Sequence, residues 1–391
     1  MNHRPITIIL TGGGSGGHIT PLLPVARELK RQLPDCKIVY VGFKGDNFDS
    51  LNIDSSCFDF RVFINAGKFR RYHGQSKLIR LLDVKTFALN VRDFFRLIGS
   101  LGTALKIIAK FKPDVVFSKG GFVVVPVGMA AKLRGVPIVT HDSDAVPGLA
   151  NRIVGRWARI HATGMPAEFY SYKPATIRYV GVPINPQIRK VTPKIQKEYR
   201  NRLGLPDEAN VLLLSGGGNG SRRLNNLLLG AAPELLAKDL SMRIIHICGW
   251  LHEAEVKASY KDKLTGEQLK RVSVMGFTPE FYAYSAAADV IVARAGATTI
   301  AELSAAGKAC VIIPSPFLAG GHQLKNAEQL AAADAAVILD EQIDADEFLA
   351  VVNELFTSDS RRFELSRNIF ALAKPQAAAE LAEMIIKTAK K

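Results

Sequence analysis

At 391 residues the chain is long for one hydrophobic core, and its length favours two domains. With 48% hydrophobic and 22% charged residues it has ordinary globular composition, and its formal charge of +15 points to nucleic acid, an anionic membrane surface or a phosphorylated substrate. Cys36, Cys57, Cys248 and Cys310 make no C-x-x-C pair, which leaves zinc and thioredoxin-like chemistry unsupported and reads as buried thiols in a reducing compartment.

The first expected strand, Ile6-Thr7-Ile8-Ile9-Leu10, runs into Thr11-Gly12-Gly13-Gly14-Ser15-Gly16-Gly17-His18. That apolar run is too short for the core of a signal peptide, and no uncharged apolar stretch reaches the roughly 18 residues of a transmembrane helix. A cytoplasmic protein that at most sits on a membrane is expected. An amphipathic stretch over 22–33 and a second run, Ile38-Val39-Tyr40-Val41, complete a strand, glycine loop, helix and strand, the unit of a doubly wound sheet. Further strands are expected at Val115-Val116-Phe117, before Gly120-Gly121, and at Ile138-Val139-Thr140, before His141.

The opening then repeats. Val211-Leu212-Leu213-Leu214 leads into Ser215-Gly216-Gly217-Gly218-Asn219-Gly220-Ser221 and a helical stretch over 224–236, with later strand-like runs at 243–247, 290–292 and 309–314. Two such openings predict an α/β fold of two doubly wound, Rossmann-like domains facing a central cleft. The linker is placed at Val182-Pro183-Ile184-Asn185-Pro186, with domains over 1–183 and 184–367.

The first loop contains G-x-G-x-x-G at Gly12, Gly14 and Gly17. A dinucleotide site should carry an acid at the end of the second strand, but that strand ends Val41-Gly42-Phe43-Lys44. No Gly-Lys-Ser/Thr follows, so it is no Walker A loop. It remains either a tight turn that needs glycines or a site, and His18 favours the site. A histidine at a positive helix end tends to stay neutral, which suits a general base; the plainer reading is a solvated helix residue. The second loop, Gly216, Gly217, Gly218, Asn219, Gly220 and Ser221, offers bare N–H groups at a helix N-terminus. That is a diphosphate site, which could stabilise a nucleotide leaving group without a metal.

Farther on, Arg294-Ala295-Gly296-Ala297-Thr298-Thr299 turns from strand to helix, with the threonines placed to cap it. Glu302, two turns in, could accept two ribose hydroxyls or be an ordinary surface acid. His322 and Gln323 open another helix as polar groups suited to sugar hydroxyls. Asp142-Ser143-Asp144 matches the D-x-D pattern of metal-dependent glycosyltransferases, but that pattern belongs to a single-sheet architecture. Asp142 and Asp144 are therefore read as residues facing an acceptor, and no metal ligand is assigned. Basic residues concentrate between Lys68 and Lys112, interleaved with large apolar ones. Arg70, Arg71, Lys77, Leu78, Ile79, Arg80 and Leu82 are read as a patch that docks on anionic lipid; the alternative is core helices with solvated basic faces. The patch has no nucleic-acid-binding motif.

Together these motifs resemble the MurG family (glycosyltransferase family 28), the N-acetylglucosaminyltransferases that convert lipid I to lipid II in peptidoglycan synthesis. The resemblance spans the chain. It rests on Gly13-Gly14-Ser15-Gly16-Gly17-His18, Lys119-Gly120-Gly121-Phe122, His141-Asp142, Gly148-Leu149-Ala150-Asn151, Gly216-Gly217-Gly218-Asn219-Gly220, Arg294-Ala295-Gly296, Glu302, His322-Gln323 and Asn326. It implies a GT-B fold whose C-terminal helix, over 368–391, crosses back to the first domain, and it implies inversion by one displacement. UDP-GlcNAc would bind mainly the second domain, through the glycine loop, Phe277, Thr278, Arg294, Gly296, Ala297, Thr298, Glu302 for the ribose, His322, and Gln323 for the GlcNAc hydroxyls. The undecaprenyl-linked acceptor would meet Ser15, Gly16, Gly17, Gly120, Gly121, His141, Asp142, Asp144 and Asn151, with His18 as the base for the MurNAc C4 hydroxyl. No cofactor is required, a divalent cation being non-essential. The implied partners are the inner-leaflet membrane surface and other cell-wall synthesis proteins, without nucleic acid. Relative to the family pattern, Asn185 replaces an arginine, Gly218 a serine and Asn219 a glutamine. His141-Asp142-Ser143-Asp144 stands for His-Glu-Gln-Asn, and Gly321 for an aspartate. A glycolipid synthase acting on diacylglycerol, a UDP-GlcNAc 2-epimerase and a non-enzymatic nucleotide-sugar-binding module are the alternatives.

Overall fold

The computed structural model describes residues 4–14, 16–46, 56–67 and 84–390. The chain divides into two compact units, Met1–Ile184 with Gln376–Lys391, and Asn185–Pro375.

The first unit is built on a parallel sheet of β1 (Thr7–Thr11), β2 (Lys37–Phe43), β3 (Phe60–Ile64), β4 (Val115–Ser118), β5 (Ile138–Asp142), β6 (Ile160–Thr163) and β7 (Ile177–Tyr179), in the order β3-β2-β1-β4-β5-β6-β7. Its strands are unbroken apolar runs because both faces are covered. Ile8, Leu10, Ile38 and Tyr40 pack on one side with Leu22 and Leu29 of the helix Leu22–Gln32. Ile9, Val39, Val41 and Val116 pack on the other with Val124 and Val127. Each such fully buried side chain contributes about 1.5–3 kcal/mol. The last helix, Ala377–Ala389, adds Leu381 and Ile385 to the first of these cores. The returning segment begins at Gln376 rather than at 368. Leu365 and Ile369, on the preceding helix Asp359–Ala371, are buried in the second unit, so that helix stays there.

The second unit repeats the plan with β8 (Val211–Ser215), β9 (Arg243–Ile247), β10 (Val272–Met275), β11 (Val290–Ala293), β12 (Cys310–Ile312) and β13 (Val337–Ile338), in the order β10-β9-β8-β11-β12-β13. Leu212, Leu214, Val290 and Val292 face one core, and Val211, Leu213, Ile291 and Ala293 the other. Asp289 ties the helix Pro193–Arg202 to the sheet. Its Oδ2 accepts from Arg200 Nη2 at 2.6 Å and from the Val211 N–H at 2.7 Å. In both sheets the strand order reverses at the centre, between β1 and β4 and between β8 and β11. Ligands of doubly wound sheets bind outside the carboxyl ends of the strands at that reversal.

The long helix Val84–Phe111 ends the basic segment. In its described part Ala104, Ile107 and Ile108 are buried against the sheet, while Lys106 and Lys110 are exposed. This stretch is a core helix with a solvated basic face. The patch residues Arg70, Arg71, Lys77, Leu78, Ile79, Arg80 and Leu82, and the loop residue Ser15, lie outside the described residues. Among the described residues no helix is long and apolar enough to cross a membrane.

Candidate active site

At the reversal point of the first sheet, the loops after β1 and β4 touch backbone to backbone. A Cβ on Gly121 would stand 2.2 Å from the Gly13 carbonyl oxygen. Gly120 and Gly121 hold φ of +104° and +87°, which a side chain would strain. Asp46 fills the first glycine loop. Its Oδ1 accepts from the Gly14 N–H at 2.8 Å and its Oδ2 from the Phe43 N–H at 2.7 Å. The Tyr40 hydroxyl lies 3.1 Å from that carboxylate and 2.8 Å from the Gly12 carbonyl. An acid is thus present just past the end of β2, where the sequence reading found none. It holds the loop, and its charge stands where a dinucleotide pyrophosphate would have to sit.

His18 lies in the single turn Gly16–Ile19, half-buried, with its ring against Gly120. A Cβ at Gly120 would stand 3.3 Å from the ring Nδ1, so the glycine leaves that face open. Burial, and then the Lys119 ammonium, push the ring from 6.5 down to about 4, against the smaller pull of Asp144 and of the Lys119 carbonyl, which accepts from the ring. The ring is uncharged at neutral pH, as expected from the sequence. The cause is desolvation and a nearby lysine rather than a helix end, since a single turn carries little dipole.

Behind His18 the polar groups bond one another, with His141 Nδ1 left buried and without a hydrogen-bond partner among the described residues. Lys119 Nζ donates to Ser143 Oγ at 2.6 Å between Asp142 and Asp144, and burial pushes it down to about 8. Asn151 accepts from the Ser118 hydroxyl at 2.8 Å and donates to the His141 carbonyl at 2.9 Å and to Asp142 Oδ1 at 3.0 Å. The Tyr172 hydroxyl donates to Asp142 Oδ2 at 2.9 Å. His141 is fully buried, with Nε2 2.9 Å from the Gly181 carbonyl. His141, Asp142 and Asn151 therefore do not face an acceptor as expected. They are an internal strut, because polar side chains at the ends of buried strands must find partners inside. Asp144 is half-buried and remains near His18.

The second glycine loop is arranged differently. Gly217 and Gly220 have φ of +82° and +73°, and Ser221 caps the helix Arg222–Lys238 by accepting from the Leu224 N–H at 3.3 Å. The N–H groups of Gly218, Asn219, Arg222 and Arg223 have no acceptor among the described residues. Among the described residues no carboxylate accepts from these N–H groups, and the helix end adds positive potential, so the loop can take a diphosphate. A Cβ on Gly220 would lie 2.0 Å from the Cys248 carbonyl oxygen. Gly220→Ala is expected to cost about 1–3 kcal/mol of stability and to weaken UDP binding. Thermal unfolding with and without UDP measures both, and an unchanged midpoint would mean that the Cys248 turn yields.

Arg294 points inward, not toward a ligand. Its guanidinium pairs with Glu341, donates to the Ile313 carbonyl at 3.0 Å, and holds the capping Ser221 hydroxyl at 2.7 Å. The expected threonine cap of the next helix, Ala297–Ala306, is absent. Gly296 occupies the cap position and no side chain bonds there, which places Thr298 and Thr299 inside the first turn. Its second turn carries Glu302, half-buried and without a hydrogen bond or ion pair among the described residues. Burial alone pushes this carboxyl up to about 8. Gly320 and Gly321, both at positive φ, turn the chain into the helix His322–Ala332. There Gln323 Oε1 accepts from the Ser315 N–H at 2.9 Å, which leaves its amide NH2 as the donor. Past β9 and β10, Trp250 stacks on Phe277 with ring centroids 4.9 Å apart, and Thr278 Oγ1 accepts from the Glu280 N–H. Among the described residues no group of three His, Cys, Asp or Glu could hold a metal ion.

Two family models match the chain: the glycosyltransferase family 28 N-terminal domain over residues 8–163 and the family 28 C-terminal domain over 211–381. A relative from Desulforudis audaxviator (strain MP104C), named UDP-N-acetylglucosamine--N-acetylmuramyl-(pentapeptide) pyrophosphoryl-undecaprenol N-acetylglucosamine transferase, is 33% identical over 98% of this chain and 99% of its own. The chain belongs to glycosyltransferase family 28. Among solved structures, Acinetobacter baumannii MurG aligns at a TM-score of 0.71 and 24% identity, covering 98% of this family 28 chain and 99% of its own. A UDP-N-acetylglucosamine 2-epimerase aligns at 0.66 and 12%, covering 99% and 98%. These two likenesses speak to the fold, a GT-B pair of parallel sheets that serves transferases and epimerases alike.

In this family 28 chain, Asp46, Tyr172, Glu341 and Trp250 had no role from sequence, and Lys119 only a place in a motif. Each works through a partner far along the chain, which periodicity does not register. Lys119 alone carried a signal, a lysine in an otherwise apolar strand end before two glycines.

Proposed function

We propose that this protein transfers N-acetylglucosamine from UDP-N-acetylglucosamine to the C4 hydroxyl of MurNAc in undecaprenyl-diphospho-MurNAc-pentapeptide, with inversion and without a resident metal. The observation that carries this reading is the contrast between the two glycine loops. Asp46 occupies the first, while the second presents N–H groups at a helix end that have no acceptor among the described residues. The donor diphosphate belongs to the second unit, with Glu302 for the ribose diol and Gln323 for a sugar hydroxyl. The neutral His18 then belongs to the acceptor. In one displacement the acceptor oxygen bonds to the donor anomeric carbon, its proton passes to His18, and the bond to the diphosphate breaks with its electron pair leaving on UDP. Helix N-termini stabilise that leaving charge. The relative's name, which specifies this donor and acceptor, supports the choice of substrates.

The acceptor is a membrane lipid, and the charge of +15 suits a protein that works at the anionic inner leaflet. The test is turnover of UDP-N-acetylglucosamine with a lipid I analogue, with and without EDTA. Transfer unaffected by EDTA is the expected result. No transfer, but conversion of the donor to its C2 epimer or UDP release with diacylglycerol, would overturn it.

A further inference from the structure

Lys119 does nothing in the mechanism above, yet it is almost fully buried, and an unpaired ammonium there would be costly. Its placement is specific. The backbone enters from β4 with the Lys119 N–H on the Thr11 carbonyl at 2.9 Å, which binds it to the strand that leads to His18. Its carbonyl accepts from the His18 ring. Its Nζ reaches past to Ser143, between Asp142 and Asp144 on the loop after β5. One residue therefore holds the His18 ring through its carbonyl, beside Gly120 against that ring, and carries a buried ammonium to Ser143.

We propose that Lys119 is a positioning residue for His18: its carbonyl selects which ring nitrogen carries the proton, and its buried ammonium, balanced by Asp142 and Asp144, adds to burial in disfavouring the imidazolium. This rests on the reading of His18 as the base. A ring that donates one N–H to a carbonyl presents its other nitrogen as the acceptor, which a general base requires. Burial does most to keep that nitrogen free, and the charges around it add to or oppose that effect. Asp144 from the β5 loop favours imidazolium, and Lys119 from the β4 loop opposes it. Asp142 is held by Asn151 and Tyr172, His141 is buried and held uncharged, and Asp46 is bound to Gly14 and Phe43. Lys119 is the cation among these groups. Methionine would fill its volume, but it would leave Asp144 to favour a proton on His18 unopposed.

The experiment follows the His18 Cε1–H resonance of the full-length protein from pH 8 down to the lowest pH at which it stays folded, with His18→Gln assigning the peak. In Lys119→Met the midpoint is expected to rise by about one pH unit or more, as removal of a nearby like charge allows. Lys119→Gln, which keeps a donor toward Ser143, should do the same if the methionine variant fails to fold, and Lys119→Arg should stay near wild type. A midpoint unmoved in both neutral variants, even with a lowered melting temperature, would overturn the proposal and leave Lys119 a structural strut. A wild-type midpoint near 6.5 would also overturn it. This titration needs no substrate. If it shifts as expected while the wild type transfers nothing to a lipid acceptor, the reaction assignment fails and the role of Lys119 stands. If transfer occurs, the acid limb of kcat/KM should move with the resonance.

Discussion

Replacing His18 by alanine is expected to lower turnover by about 10²–10⁴-fold while UDP-sugar affinity stays within a few-fold of wild type. The ring stands on the first unit, against Gly120 and the Lys119 carbonyl, and the groups that suit the donor stand on the second. Its removal should therefore touch the chemical step and not donor binding. The pH dependence has a definite sign. Only the uncharged ring accepts a proton, and the free protein holds it at about 4, so kcat/KM for the acceptor, at saturating donor, should stay flat down to pH 5 and fall as pH passes through about 4. An ordinary histidine would lose activity from about 6.5. A base this weak draws the proton late in the displacement, so a His18→Gln variant, which keeps shape but not basicity, should be nearly as slow as alanine. Steady-state kinetics with donor and acceptor varied separately measure this. Loss of donor affinity equal to the loss of turnover would remove His18 from the chemistry.

Glu302→Gln should weaken UDP binding by about 10–100-fold, the effect of losing one hydrogen bond to a charged group at about 1.5–3 kcal/mol. The free carboxyl, pushed up to about 8, is mostly protonated at pH 7. Two ribose hydroxyls donating to it would favour the carboxylate and lower that value on binding. UDP binding should then release a proton at pH 7 and tighten as pH rises through about 8, levelling above it, and the glutamine variant should lose this dependence. Calorimetric titration with UDP at several pH values, in buffers of different ionisation heat, reads both effects. Proton uptake, or affinity that falls as pH rises through 8 in wild type alone, would place the diol elsewhere.

The fold was legible because its physics is local in the sequence. Parallel strands buried on both faces appear as unbroken runs such as Val211–Ser215, and glycines mark the turns that follow. The bare N–H groups of the second glycine loop, without an acceptor among the described residues, were readable for the same reason, since a glycine turn involves neighbours in sequence. Side-chain pairing was not. Asp46 on Gly14, Asn151 between Ser118 and Asp142, and Arg294 on Glu341 each join residues at least nine positions apart, and a polar residue at a strand end looks the same whether it faces a substrate or a partner.

The sequence by itself determined the two doubly wound units and the glycine turns that follow their first strands, and it singled out His18 and Glu302 as groups worth testing, because apolar period, glycine placement and residue chemistry are properties of the linear chain. Only the tertiary structure decided which groups remain available. Asp46 occupies the first loop; His141, Asp142, Asn151 and Arg294 turn inward; Lys119 comes to lie near His18; Glu302 is left desolvated, without a partner among the described residues. Burial makes a polar group find a partner or change its charge, and which of the two happens depends on neighbours that only folding brings together.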